Sequence, residues 1–161
     1  MNSLQNALFE KETVFIENGE SKEEIFKSVA KQLLEKGLVT EDFLDNLLER
    51  EENYPTGIDL SVINPNLPSI AIPHTESSFV KTRRIIPIKL IKSVEFKNMI
   101  QPDQKVEASF LFMILNDSPN EQANMLADIM DFLNRTDLEE LKSFFELNEE
   151  KEIYKFLATK F

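Results

Sequence analysis

The stretch Val106 to Leu115, VEASFLFMIL, constrains the fold more than any other part of the chain. From Phe110 onward every residue in it is apolar, so the polar-apolar alternation of a half-solvated strand is missing. Such a strand has to be covered on both faces. The covering layers stand on either side of it in the sequence. Ser21-Lys-Glu-Glu24 is a capping-box pattern in which Glu24 is placed to reach back to the Ser21 amide. Behind it Ile25, Phe26, Val29, Leu33 and Leu34 recur at helical spacing, and Gly37 marks the end of the helix. Thr40-Glu-Asp42 opens a second helix with Phe43, Leu44, Leu47 and Leu48 on its apolar face, running to about Glu51. Ser118-Pro-Asn-Glu121 reads as a second capping box with Pro119 in the first helical position, before a helix carrying Leu126, Ile129, Met130 and Leu133. Two short amphipathic helices follow, Asp137 to Leu147 and Glu149 to Leu157.

Further strands are expected at Thr13 to Glu17, Ile70 to Ile72 and Ile85 to Ile91. Pro87 inside the last of these places it at a sheet edge or a bulge, because proline donates nothing to a ladder. Helices and strands therefore alternate along one α/β domain, residues 1–161, in which a mixed sheet is flanked by helices. The length suits one hydrophobic core, and a sequence that is 42% hydrophobic and 29% charged fits a globular chain.

Charge and residue types exclude several functions. Lysine and arginine number 18 against 29 acids, a net charge of -11, which speaks against nucleic-acid binding and for a basic protein partner. No cysteine and one histidine leave no ligand set for an ordinary zinc site, and no cofactor is expected. With three glycines the chain has no phosphate-binding glycine loop, and no G-x-S-x-G elbow is present. Met1 to Glu10 lacks the basic-then-apolar pattern of a signal peptide, and no stretch has the apolar length of a membrane span, so the expected location is the cytoplasm.

The single histidine, His74, follows the apolar run Ile70-Ala71-Ile72 directly behind Pro73. That places an imidazole at the C-terminal end of a buried strand, where ligand sites of open α/β sheets lie. Without a partner serine or metal, the chemistry left to it is that of a nucleophile forming a covalent intermediate. Phosphoryl transfer suits such a residue, since it asks for positioning and charge stabilisation more than elaborate acid–base groups. Arg50, Arg83 and Arg84 are the candidate guanidinium partners. The other readings keep His74 as a packed side chain and Arg50 as a cation in the last turn of its helix.

Leu47-Leu-Glu-Arg-Glu51, Tyr54-Pro-Thr-Gly-Ile58 and Ala71-Ile-Pro-His-Thr-Glu76 together resemble the enzyme IIA domains of the mannitol–fructose group of the sugar phosphotransferase system, and most of all their galactitol-type branch. The resemblance implies the fold of that group. It implies that His74 accepts a phosphoryl group from the carrier protein HPr and passes it to a IIB component, with a membrane IIC component as the transporter. It places charge stabilisation on Arg50. To Thr56 it assigns a hydrogen bond to the phosphoryl group or the orientation of the ring, beside the plainer reading of a turn residue before Gly57. Where mannitol- and fructose-type relatives carry a second histidine this chain has Gln122, as the galactitol-type branch does, so any help there is a neutral hydrogen bond. A solvated first-turn residue is the alternative for Gln122. The same residues fit a regulatory IIA-like protein whose phosphorylation state is sensed by partners.

Overall fold

The computed structural model describes residues 8–161; the readings that fall on residues 1–7, including most of the segment tested for a signal peptide, lie outside the described residues. Five strands form one mixed sheet: β1 (Phe15–Glu17), β2 (Gly57–Ile58), β3 (Ser69–Ala71), β4 (Arg84–Lys97) and β5 (Lys105–Leu115), in the order β1-β4-β5-β3-β2. β5 is the middle strand, antiparallel to β4 and parallel to β3. Its doubly apolar sequence is explained by what covers it. Phe110, Phe112 and Ile114 join one buried cluster, and Leu111, Met113 and Leu115 the other.

The helices divide between these faces. α1 (Lys22–Glu35) and α2 (Phe43–Asn53) cover the second cluster through Ile25, Phe26, Val29, Leu33, Phe43 and Leu47. α3 (Gln122–Arg135), α4 (Leu138–Phe145) and α5 (Glu150–Lys160) cover the first, with Ile129, Phe132, Phe144 and Leu157 in its centre. Val106 and Ala108 share a cluster with Leu111, although strict alternation would separate even from odd positions. The register explains it: Ser69 pairs with Ala108 and Ile70 with Phe110, so Ser109 is an extra residue that resets the alternation.

Several expectations are corrected by long-range contacts. Pro87 lies in β4, an interior strand, opposite Phe112. The Ile85 amide donates to the Leu8 carbonyl at 2.8 Å, on the side away from β5. Since amides alternate in direction along a strand, the Pro87 nitrogen faces that same side, where the β1 ladder begins only at Ile88. β1 starts at Phe15, because Lys11–Thr13 is a 3-10 turn. Thr40 does not cap α2: its hydroxyl accepts from no helix amide, its own amide donates to the Phe79 carbonyl at 3.0 Å beside a bridge between Val39 and Val80, and the helix begins at Phe43. In the first capping box Ser21 Oγ accepts from the Glu24 amide as expected, but Glu24 accepts from the Glu20 amide rather than that of Ser21. Gly37 follows α1 with a φ of 74°, the left-handed conformation that favours glycine after a helix. At Gly57 a Cβ would stand 2.6 Å from the Lys97 carbonyl oxygen, so only glycine lets β2 approach the end of β4 this closely.

Because β3 and β5 run parallel, their C-terminal ends lie side by side. The Ile114 amide donates to the Pro73 carbonyl at 3.0 Å, and His74 stands opposite Ile114. The chain leaves β5 at Asn116 and enters α3 at Gln122, so the loops after both strands open at the same end of the sheet.

Candidate functional site

A cavity of about 230 Å³ lies at this end, lined by Arg50, His74, Thr75, Glu76, Ser77, Asn116, Pro119 and Gln122. Of the residues expected to act together, His74, Arg50 and Gln122 line it. Arg83 and Arg84 do not: Arg83 pairs with Glu121 at 3.6 Å, and Arg84 with Glu12 at 3.4 Å. Thr56 is also absent from the lining; it is buried, with its hydroxyl between Glu51 and the Ile72 amide.

His74 Nδ1 stands 2.9 Å from the Ile72 carbonyl oxygen. A carbonyl only accepts, so Nδ1 carries the proton of the neutral ring and the Nε2 lone pair is left free. Burial pushes the His74 pKa below the ordinary 6.5; the Ile72 carbonyl raises it and the Arg50 charge lowers it further. The net shift is downward, which favours the neutral ring at pH 7 with its Nε2 lone pair free.

Arg50 comes from the last turn of α2. Its guanidinium stacks over the Tyr54 ring at 4.7 Å and meets the Glu76 carboxylate only loosely, at 4.0 Å. Arg50 Nε is buried and has no acceptor. The cation therefore faces the cavity with donors to spare, which suits an anion with several oxygens. Glu76 is held by its own backbone, whose amide donates to Asn46 Oδ1 at 3.1 Å. That amide is thus not free to meet an anion, and Pro73 has none.

The opposite wall is neutral. Asn116, 3% exposed, donates through Nδ2 to the Ser118 carbonyl at 2.7 Å and accepts at Oδ1 from the Ser118 amide at 3.0 Å. Those two contacts decide which way its amide points. Nδ2 then also meets Gln122 Oε1 at 3.4 Å, which turns Gln122 in its turn. Gln122 Nε2 is left buried with no acceptor, a donor waiting for one. Ser118 does not cap α3: the first helical residue is Gln122, and Ser118–Glu121 is a turn shaped by Asn116. The cavity thus meets the first turn of a helix, where unpaired backbone donors favour negative charge.

Asn116 is not singled out from the sequence, although it is the first polar residue after the long strand and so stands where such sites lie, whereas Glu76 closes the Ala71-Ile-Pro-His-Thr-Glu76 motif without a role assigned to it. Behind the ring, the Glu51 carboxylate accepts from the Thr56 amide and from the Thr56 hydroxyl, both at 2.8 Å. The Ile72 amide donates to Thr56 Oγ1 at 3.2 Å.

Residues 7–160 match the family described as the phosphoenolpyruvate-dependent sugar phosphotransferase system, EIIA 2. The chain is similar to the galactitol-specific EIIA component of Escherichia coli (strain K12), 27% identical over 130 residues that cover 79% of this chain and 83% of that protein. Its fold is similar to that of IIA mannitol from Escherichia coli, with a TM-score of 0.71 at 20% identity over 92% of this chain and 98% of that one. It is also similar to a chain in the complex of enzyme IIAMtl with phosphorylated enzyme IIBMtl from Escherichia coli, with a TM-score of 0.68 at 20% identity over 93% and 96% of the two chains. Among the described residues no helix is long and apolar enough to cross a membrane.

Proposed function

The chain belongs to the EIIA 2 family of the phosphoenolpyruvate-dependent sugar phosphotransferase system, and from that membership we propose that it is a phosphoryl carrier whose acceptor atom is His74 Nε2. The observation that carries this reading is the 2.9 Å contact between His74 Nδ1 and the Ile72 carbonyl, which leaves Nε2 as the free nitrogen. The donor is phospho-HPr. The Nε2 lone pair forms a bond to phosphorus as the bond from phosphorus to the donor's nitrogen breaks, and the pair from that bond returns to the donor. Nδ1 keeps its proton throughout. The Ile72 carbonyl steadies the positive charge that grows on the ring.

Arg50 meets the charge on the equatorial oxygens, with Gln122 Nε2 supplying a neutral hydrogen bond from the opposite wall. The family needs no nucleotide for this step, and the group then moves to a IIB component. Support for that acceptor comes from the fold similarity to IIAMtl, which is in a complex with phosphorylated IIBMtl. Similarity to the galactitol-specific protein favours a polyol-type transport system. On this reading residues 1–161 act as one IIA domain in the cytoplasm, beside a membrane IIC component.

Intact mass after incubation with phosphoenolpyruvate, enzyme I and HPr tests the proposal. One acid-labile phosphoryl group is expected on the wild type and none on His74→Ala. A folded wild type that gains no mass while HPr is fully phosphorylated would end the carrier reading.

A further inference from the structure

A buried acid stands where two physical effects oppose it. Glu51 is 4% exposed and lies in the last turns of α2, so it bears both the cost of burying a charge and the negative end of the helix dipole. Burial pushes its pKa up, while the Thr56 amide, the Thr56 hydroxyl and Lys22 pull it back. Both carboxylate oxygens are committed, each at 2.8 Å, to donors of the same residue. That arrangement has a direction. The Thr56 hydroxyl proton is turned to Glu51, so the lone pairs on Thr56 Oγ1 are turned to the Ile72 amide at 3.2 Å. The same amide has the Thr56 carbonyl at 3.2 Å. Ile72 is then the residue whose carbonyl holds the His74 Nδ1 proton, and Pro73 limits the backbone between them.

We propose that Glu51 is a positioning residue for His74: through Thr56 and Ile72 its carboxylate holds the imidazole in the tautomer that leaves Nε2 free to take the phosphoryl group. The value of that tautomer to the protein rests on the carrier reading above; the hydrogen-bond path does not. Glu51 and Arg50 are neighbours in α2, and the helix turn sends one behind the ring and the other into the cavity. One helical turn thereby sets both the ring and the charge it works beside.

The test is Glu51→Gln, read by nitrogen-15 NMR of the imidazole above its pKa and by the rate of phosphorylation from phospho-HPr. A glutamine has one acceptor oxygen for the two Thr56 donors, so its amino group has to face one of them. The wild type is expected to hold the proton on Nδ1. Glu51→Gln should show a mixture of both tautomers and phosphoryl uptake slowed about tenfold. Thr56→Ser keeps hydroxyl and amide and should behave as wild type, whereas Thr56→Val should reproduce Glu51→Gln. If Glu51→Gln does not fold, the Thr56 pair decides. A folded Glu51→Gln with the wild-type tautomer, or a Thr56→Val equal to Thr56→Ser, overturns the proposal. Tautomers are read without any phosphoryl donor, so failure of the carrier reading and failure of this one are separate results.

Discussion

On one side of His74 stands Arg50, a permanent cation with a loosely held counter-ion and an unpartnered Nε. On the other side stand Asn116 and Gln122, neutral amides whose directions are set by one backbone residue, Ser118. The charged wall acts through field strength and tolerates loose geometry, since the Arg50–Glu76 contact is 4.0 Å. The neutral wall acts only through direction: with its amide reversed, Gln122 would present an oxygen to an anion instead of a donor. The difference teaches where each wall is vulnerable, to loss of charge on one side and to loss of orientation on the other.

The largest effect is expected from Arg50→Gln, which removes both the charge and the planar fork. Phosphoryl uptake should fall by about 100-fold, the order seen when a transition-state donor is removed. Rapid-quench rates against an unchanged melting curve check it; wild-type rates would remove Arg50 from the mechanism. Next comes Asn116→Asp, which replaces the donor facing Gln122 Oε1 by an acceptor and so turns the Gln122 amide around. A fall of roughly 30-fold is expected, the lost hydrogen bond and the added like charge each costing on the order of 1 kcal/mol. An Asn116→Asp rate no lower than that of Gln122→Ala would break the idea that direction governs this wall.

Gln122→Ala itself should slow uptake only about fivefold, the worth of one neutral hydrogen bond. The smallest effect is in the pH profile. An unshifted histidine would lose half its neutral form at pH 6.5; the His74 pKa lies below that because of burial, so the rate at pH 6.5 should keep more than half its value at pH 8. The same shift carries a stability sign. The folded pKa is depressed, so the contribution of His74 is present above 6.5 and is lost as the pH falls from there through the folded value. A midpoint of the acid limb at or above 6.5 would mean that the ring is not desolvated in solution.

Much of this was legible in the sequence, for local reasons. The doubly apolar β5 required cover on both faces and has it. Gly37 ended α1 where a left-handed residue was needed, and His74 followed Pro73 at the end of a buried run. The misreadings share a cause. Ser118-Pro-Asn-Glu121 has the letters of a capping box, yet Asn116 claims the Ser118 backbone and the helix starts later. Thr40 has the letters of an N-cap, yet its hydroxyl accepts from no helix amide and the helix starts only at Phe43. Pro87 read as an edge or bulge residue because nothing nearby in sequence shows which side of a strand faces a partner.

By itself the sequence determined the layers, the helix faces and the kind of chemistry open to a lone histidine, because periodicity and residue type act over a turn or a strand. Only the tertiary structure decided which ring nitrogen keeps its proton and which way Gln122 points, and it set Arg50, which the resemblance had singled out, in the same cavity as His74. The bonds at the site are local, two residues apart from His74 to Ile72 and six from Asn116 to Gln122, but the loops that carry them are held by contacts between distant parts of the chain, across 16 residues from Ile72 to Thr56 and 30 from Glu76 to Asn46. No local pattern encodes the direction of such a bond, since it exists only once the strands have taken their register.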